Sequence, residues 1–203
     1  MEFPNARIIV FAKAPQAGRV KTRLIPHIGA QAATELHQRL VLNTLQQLHQ
    51  TALCPVELWC APDSGHPFFS GCQQHFDVTL HTQCGDDLGM RMHHALNNQP
   101  EKPTLLIGSD VPAVDADYLR QGLLALMRGE RWVLGPAEDG GYVLVGCCMS
   151  DRRFFENIQW GTSEVLEQTL RNALGLGHQP YCLDTLWDLD EYQDLQRWEA
   201  MGE

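Results

Sequence analysis

Apolar residues occur in short β-rich runs that alternate with longer stretches of helical period. Arg7-Ile8-Ile9-Val10-Phe11-Ala12 is apolar through its interior, which predicts a strand buried on both faces, as in a parallel sheet. Ala14-Pro15-Gln16-Ala17-Gly18 breaks the run with turn residues. From about Ala30 to His49 the period becomes helical, with Ala33, Leu36 and Leu40 on one stripe and Val41, Leu45 and Leu48 on the next. Pro55 to Cys60 predicts a second strand, Pro67 to His75 a short helix and Phe76 to His81 a third strand. Leu88, Met92 and Ala95 place a helix after Gly85-Asp86-Asp87.

Thr104-Leu105-Leu106-Ile107-Gly108-Ser109-Asp110 is the clearest strand, and it ends in a carboxylate. A helix is expected over Asp115 to Met127, capped by Asp115 or Asp117. Strands follow at Trp132–Gly135 and Tyr142–Gly146, then a helix from Thr162-Ser163-Glu164. A short strand near Gln179 to Leu183 and a helix from Asp190 to Met201, with Asp190 and Gln193 as its capping box, complete the pattern. Such alternation predicts a single α/β domain over residues 1–203, an open, mostly parallel sheet with helices on both faces. Ligands of such sheets sit outside the carboxyl ends of the strands. Three chemically loaded segments follow strand ends: Lys13 to Arg23, Gly108 to Pro112, and Ala137 to Tyr142.

Composition sharpens this picture. The chain is 44% hydrophobic and 20% charged, the balance of a globular domain. No apolar run approaches membrane-spanning length, and Met1–Asn5 lacks a basic signal-peptide region, so a cytoplasmic setting without a membrane span is expected. Seven scattered Cys with no Cys-x-x-Cys pair argue for buried thiols rather than disulfides or zinc. A net charge of −10 opposes nucleic-acid binding. Yet Phe3 to Thr34 contains no Asp or Glu, while Arg7, Lys13, Arg19, Lys21 and Arg23 all lie there. Such segregation suggests service to an anion; a solvated face or a homodimer contact is the alternative.

The loop from Lys13 to Leu24 has the means to hold phosphates. Gly18 permits close backbone approach, Lys21 supplies a point charge and Arg23 a bidentate fork. Its spacing matches neither a P-loop nor a dinucleotide fingerprint. Asp110, at the tip of a buried strand, suits Mg²⁺ (or Mn²⁺) bridging to phosphates, with a cap or turn as the alternative. Asp139, in Glu138-Asp139-Gly140-Gly141-Tyr142, is either a base for an acceptor hydroxyl or part of a hairpin turn. Gln83 offers a donor and an acceptor to a nucleobase edge, whereas Asp86 and Asp87 suit helix capping. Asp184, Asp188 and Asp190 crowd together near the end of the chain, and one of them can complete a metal site.

In combination these segments resemble a bacterial family of GT-A-like, glycosyltransferase-related proteins within the nucleotide-diphospho-sugar transferase superfamily. More distant relatives include the phospholactate and molybdenum-cofactor guanylyltransferases. The likeness is carried by Phe11 to Leu24, Gln83 to Gly89, Gly108 to Pro112, Gly135 to Tyr142, Trp160 with Thr162-Ser163, and Asp188-Leu189-Asp190. It implies a GT-A sandwich with Lys13, Lys21 and Arg23 on the phosphates and Gly85, Leu88 and Gly89 on the base side. It also implies Asp110 as the metal-binding carboxylate. The usual Asp-x-Asp is absent, since Gly108 stands two before Asp110, so the second ligand is expected from Asp188 or Asp190.

The expected activity is Mg²⁺-dependent transfer from a nucleotide sugar to a small-molecule acceptor, with Lys21 and Asp139 as catalytic residues. Nucleotidyl transfer from a nucleoside triphosphate, releasing pyrophosphate, is the alternative. A non-catalytic nucleotide-binding protein of the same fold is the third reading.

Overall fold

A computed structural model describes residues 1–202. Seven strands form one sheet: β1 (Arg7–Lys13), β2 (Val56–Ala61), β3 (Thr79–Thr82), β4 (Thr104–Gly108), β5 (Trp132–Pro136), β6 (Tyr142–Cys147) and β7 (Tyr181–Cys182). The helices are α1 (Ile25–Thr51), α2 (Pro67–Phe76), α3 (Leu88–Leu96), α4 (Ala116–Met127), α5 (Val165–Gly175) and α6 (Tyr192–Ala200). A 3₁₀ turn, Arg152–Phe155, precedes α5. No helix among the described residues is long and apolar enough to cross a membrane.

The strand order is β3-β2-β1-β4-β6-β5-β7. All neighbours are parallel except β6, which runs antiparallel to both β4 and β5. The open, mostly parallel sheet therefore carries one reversed strand, supplied by the β5–β6 hairpin. Helices cover both faces because side chains alternate along each strand. Ile8, Val10 and Ala12 of β1 pack with Leu58, Ile107 and the apolar sides of α1, α2 and α4. Ile9 and Phe11 face the other way and pack with Trp59, Leu106, α3 and the aromatic pair Phe154–Phe155. Trp132 stacks on Phe154 with ring centroids 3.6 Å apart.

Several boundaries differ from the sequence reading, each for a local reason. Helix α1 starts at Ile25 rather than Ala30, because Pro26 suits a first turn; Gly29, at φ 80°, then breaks the helix. Strand β3 starts at Thr79, since Phe76 ends α2 and Asp77 adopts the left-handed conformation. Strand β4 stops at Gly108, leaving Ser109 and Asp110 beyond the ladder. Helix α5 starts at Val165, one residue past Glu164. The last helix is capped by Glu191 with Asp194 completing the box, not by Asp190 with Gln193. Strand β7 shrinks to Tyr181–Cys182. The 3₁₀ turn has no counterpart in the sequence reading, since four residues show no period.

One buried polar network corrects the reading of the basic segment. Arg7 is not part of any anion site. It lies at the amino end of β1, only 2% exposed, and Nη1 donates to both carboxylate oxygens of Glu57 at 3.1 and 2.9 Å. Its remaining donors reach the Thr104 hydroxyl and the Ala95 and Leu96 carbonyls. Glu57 also accepts from the Trp59 indole and the Gln99 amide. The network is fully satisfied, and removing one member strands a buried charge. Glu57→Ala is accordingly expected to lower unfolding free energy by about 3–5 kcal/mol. Denaturant titration checks this; a loss under about 1 kcal/mol, typical of an exposed pair, would contradict it.

Candidate functional site

The topology brings the three loaded segments together. Strands β1 and β4 are parallel neighbours, with Phe11 opposite Gly108, so the loop after Lys13 and the tip at Ser109–Asp110 leave the same edge side by side. Strand β6 is antiparallel to β4, so its first residues lie at that edge too, with Leu144 opposite Ile107. The 137–141 turn therefore arrives beside Asp110. A fourth segment joins them: Ala137 bridges Leu186, and Leu189 N–H donates to the Asp110 carbonyl at 2.8 Å.

Lys21 ties this edge together. Its backbone is left-handed at φ 45°, uncommon for a side-chain-bearing residue, and the residue is buried. The ammonium donates to Asp110 Oδ2 at 2.9 Å and to the Leu189 carbonyl at 2.5 Å, and lies 3.7 Å from Asp190 Oδ1. Lys21 thus lies among carboxylates and a carbonyl rather than standing free. Arg23 donates to Asp190 Oδ2 at 2.6 Å. Burial raises the pull of Asp110 for a proton, but the Lys21 charge and hydrogen bond outweigh it and hold the carboxyl below its usual range.

Gly108 has a reason for standing where Asp-x-Asp proteins carry an acid. A Cβ built there comes within 2.7 Å of Asp110 Oδ1, so the carboxylate folds back over the bare glycine. Asp188 is different from its neighbours. Burial, then the negative charges of Asp110 and Asp139, with a smaller push from Asp190, raise it to about 6. It has no cationic partner among the described residues.

Two clefts meet at Asp110. The first, about 420 Å³, is lined by Lys13, Arg19, Lys21, Arg23 and Gln83, with Asp190 at its rim. Lys13 and Arg19 are exposed and form no ion pair among the described residues, so they are the cations available to an anion. The second, about 220 Å³, is lined by Asp110, Asp139, Asp188, Trp160 and Val143 among others. Leu88 and Gly108 touch both.

Other expected site residues fall elsewhere. Gly18, at φ 81°, has open space around it and serves the loop conformation. Gly85 faces the first turn of α3, where a Cβ would meet Arg91 N at 2.7 Å. Gly89 lies under Trp160 and Phe155, with a Cβ 2.6 Å from the indole. Neither glycine lines the cleft; both serve packing around α3. Gln83 does line it, though its amide donates to the Trp59 carbonyl at 2.9 Å. Asp87 caps α3, accepting from Met90 N–H at 2.7 Å, and Asp115 caps α4. Asp139 Oδ1 accepts from Gly141 N–H at 2.8 Å, so the hairpin turn is real. Gly140 approaches Ser163 rather than a ligand, since a Cβ there would come 2.2 Å from its carbonyl oxygen.

His37, absent from the sequence reading, also lines the first cleft. It sits on the buried stripe of α1 and its Nε2 bonds the Lys13 carbonyl at 2.9 Å. Burial lowers its affinity for a proton, consistent with a neutral ring donating to that carbonyl. Its place on the α1 stripe, three before Leu40, was the signal available in the sequence.

The family model described as an uncharacterized protein conserved in bacteria, DUF2064, matches residues 44–162. The chain belongs to that family. No curated protein matches it. A protein from Desulfovibrio desulfuricans G20, provisionally named a nucleotide-diphospho-sugar transferase, is similar across 99% of this chain and 89% of its own. The identity is 27% and the TM-score 0.87. A CMP:2-keto-3-deoxy-manno-octonic acid synthetase complexed with CTP shares the fold over 98% of both chains, at 10% identity and TM-score 0.62. A cytidylyltransferase from Leptospira borgpetersenii serovar Hardjo-bovis does so over 97% of this chain and 86% of its own, at 10% identity and TM-score 0.64. This DUF2064 member has the nucleotide-diphospho-sugar transferase fold.

The burial of Asp188 beside other carboxylates has a measurable consequence. Asp188 titrates higher in the folded chain than its ordinary value, so its ionisation opposes folding. That cost is absent below the ordinary carboxylate range and complete once pH has risen past about 6. Asp188→Asn is expected to raise the melting temperature at pH 7.5, with the gain fading by about pH 4. Equal melting temperatures at pH 7.5 would contradict it.

Proposed function

We propose that this protein transfers a sugar from a nucleotide diphosphate donor to the hydroxyl of a small-molecule acceptor, with Mg²⁺ (or Mn²⁺) held at Asp110 and Asp188. The observation that carries this reading is the meeting of a cation-lined cleft and a carboxylate-lined cleft at one residue, Asp110. Likeness over 99% of the chain to a protein provisionally named a nucleotide-diphospho-sugar transferase supports it.

Within this reading, Lys13, Arg19 and Arg23 bind the diphosphate, and Gln83 and Leu88 lie on the base side. Lys21 is a positioning residue rather than a free phosphate ligand. It holds the loop, the strand tip and the 184–190 segment in one arrangement, so that the cleft exists before the donor arrives. Asp190, paired with Arg23 and near Lys21, serves that scaffold more than a metal.

The residues present fit a divalent cation of modest demands. Among the described residues no three His, Cys, Asp or Glu side chains form a self-sufficient metal site. Mg²⁺ needs only one or two carboxylates when phosphates and waters complete its shell. Asp188, raised to about 6 by burial and then by the negative charges of Asp110 and Asp139, has no positive neighbour paired with it among the described residues. When bound there the ion supplies positive charge to the phosphate oxygens of the leaving group.

In this reading Asp139 serves as the base. One carboxylate oxygen is fixed by Gly141 N–H, and no hydrogen bond within the described chain engages the other. The acceptor oxygen forms a bond to the anomeric carbon as the bond from that carbon to the β-phosphate oxygen breaks. The hydroxyl proton passes to Asp139, and the nucleoside diphosphate leaves. Shared fold with a CTP-bound synthetase favours a second reading, nucleotidyl transfer, which releases pyrophosphate instead. A nucleotide binder with no turnover releases neither.

Calorimetric titration of UDP, GDP, CDP and ADP, with and without Mg²⁺, tests the reading. At least one nucleotide is expected to bind more tightly with Mg²⁺, and Asp110→Asn is expected to remove that gain. Lys13→Ala combined with Arg19→Ala is expected to weaken the diphosphate about tenfold or more while sparing the free nucleoside, each lost phosphate contact being charge-assisted. Mg²⁺-indifferent binding, or equal losses for nucleotide and nucleoside, would overturn the assignment.

A further inference from the structure

Gly108 ends β4, and the chain bends at Ser109 directly after it. Two hydrogen bonds fix Asp110 beyond the bend. Its carbonyl accepts from Leu189 N–H at 2.8 Å, and Oδ2 accepts from the Lys21 ammonium at 2.9 Å. The other oxygen, Oδ1, lies where a Cβ on Gly108 would come within 2.7 Å. Flipping the carboxylate does not relieve that approach, because a flip only exchanges the two oxygens.

Neither the backbone nor the core requires glycine at 108. Its φ lies outside the left-handed region, so a residue with a side chain adopts this conformation without strain. Apart from its own chain neighbours, the only atoms a Cβ there would meet within 4 Å belong to the Asp110 carboxylate, Oδ1 at 2.7 Å and Cγ at 3.9 Å. Other glycines of the sheet differ: a Cβ at Gly135 would meet Tyr118 and Leu144, and one at Gly146 would meet Leu105. Glycine in a strand also carries an entropic cost that alanine does not. At 108 the chain bears that cost at a position where the space is shaped by one group, the Asp110 carboxylate.

From this we infer that Gly108 is a positioning residue: its absent Cβ is the seat of the Asp110 carboxylate, and an acid placed at 108 displaces that carboxylate instead of joining it at a metal. This rests on the Mg²⁺ reading above and deepens it. Where Asp-x-Asp carries two acids, this chain carries one acid and the space that aims it. The second carboxylate, Asp188, comes from a separate segment. Any side chain at 108 drives Oδ1 back by several tenths of an ångström before contact becomes ordinary. The same movement draws Oδ2 from the Lys21 ammonium, the contact that joins the basic loop to the strand tip. The seat therefore sets the carboxylate and the phosphate loop together.

The test is a melting-temperature cycle on the full-length protein without metal or nucleotide. Gly108→Ala is made in the wild-type chain and in Asp110→Ser, which removes the carboxylate while the Leu189 carbonyl still holds Lys21. In the Asp110→Ser background the added methyl enters empty space and is expected to raise the melting temperature by about 1–4 °C, as relief of a strand glycine does. In the wild-type chain the same substitution is expected to lower it. An equal change in both backgrounds overturns the inference, and is what a glycine kept only to make room for a ligand would give. A crystal structure of Gly108→Ala reads the seat without the cycle: the Asp110 carboxylate is expected to be displaced and its Lys21 contact lengthened, and an unmoved carboxylate overturns the inference. Calorimetric titration of Gly108→Asp with UDP, GDP, CDP and ADP reads the metal side. The ratio of affinities with and without Mg²⁺ is expected to fall to about one, as for Asp110→Asn. A ratio larger than that of the wild-type chain means that the new acid completes a pair, and overturns the inference. Absence of any Mg²⁺ gain in the wild-type chain would sink the metal reading, while the melting-temperature cycle still decides whether Gly108 seats Asp110.

Discussion

The contact between Lys21 and Asp110 is the joint on which the rest of the site depends. It links three pieces of chain that are distant in sequence: the loop after β1, the tip of β4 and the segment before α6. A lysine with 4% side-chain exposure is costly to bury without partners, and this one has a carboxylate and a carbonyl within hydrogen-bond reach. The left-handed backbone at Lys21 is held there by these contacts rather than by its own preference. With the ammonium in place, the basic loop cannot swing away from the sheet edge, so the exposed Lys13 and Arg19 stay poised over the cleft.

Charge is divided around that joint. On one side, cations outnumber carboxylates and two of them form no ion pair among the described residues; on the other, burial and then neighbouring carboxylates make Asp188 resist ionisation. Neither arrangement favours the empty fold. Local conflicts of this kind concentrate at functional sites, where a ligand relieves them. On the reading proposed above, a nucleotide diphosphate and its cation would supply the missing charges: anion to the first cleft, cation to Asp188. The Arg7–Glu57 network at the opposite end of β1 shows the contrast. There every donor and acceptor is satisfied by the chain itself, and the fold needs nothing from outside.

Much of this was legible in the sequence. Strand and helix order followed from period alone, because a sheet covered on both faces makes its strands apolar throughout, as in β1 and β4. The convergence of the 13–23, 108–112 and 137–142 segments followed from the rule that loops at strand carboxyl ends share an edge. What periodicity could not carry was the antiparallel insertion of β6, since the hairpin signal at Asp139-Gly140 does not say where in the sheet the hairpin enters. Nor could it separate glycines by purpose. Gly85 and Gly89 looked like ligand approaches and are packing contacts against α3 and Trp160. Arg7 looked like part of an anion site because charge counting does not see Glu57, fifty positions away in sequence and hydrogen-bonded in space. His37 stood on an apolar stripe, where histidines ordinarily pack, and its bond to the Lys13 carbonyl is visible only in three dimensions.

The central claim is that a nucleotide diphosphate and a divalent cation occupy the space between the basic loop and the carboxylates around Asp110. Anomalous diffraction from Mn²⁺ in crystals grown with a nucleoside diphosphate measures this directly. The account predicts a manganese peak at the carboxylates of Asp110 and Asp188, with diphosphate density against Lys13 and Arg19. Diphosphate bound elsewhere, or a manganese peak remote from both carboxylates, would contradict it.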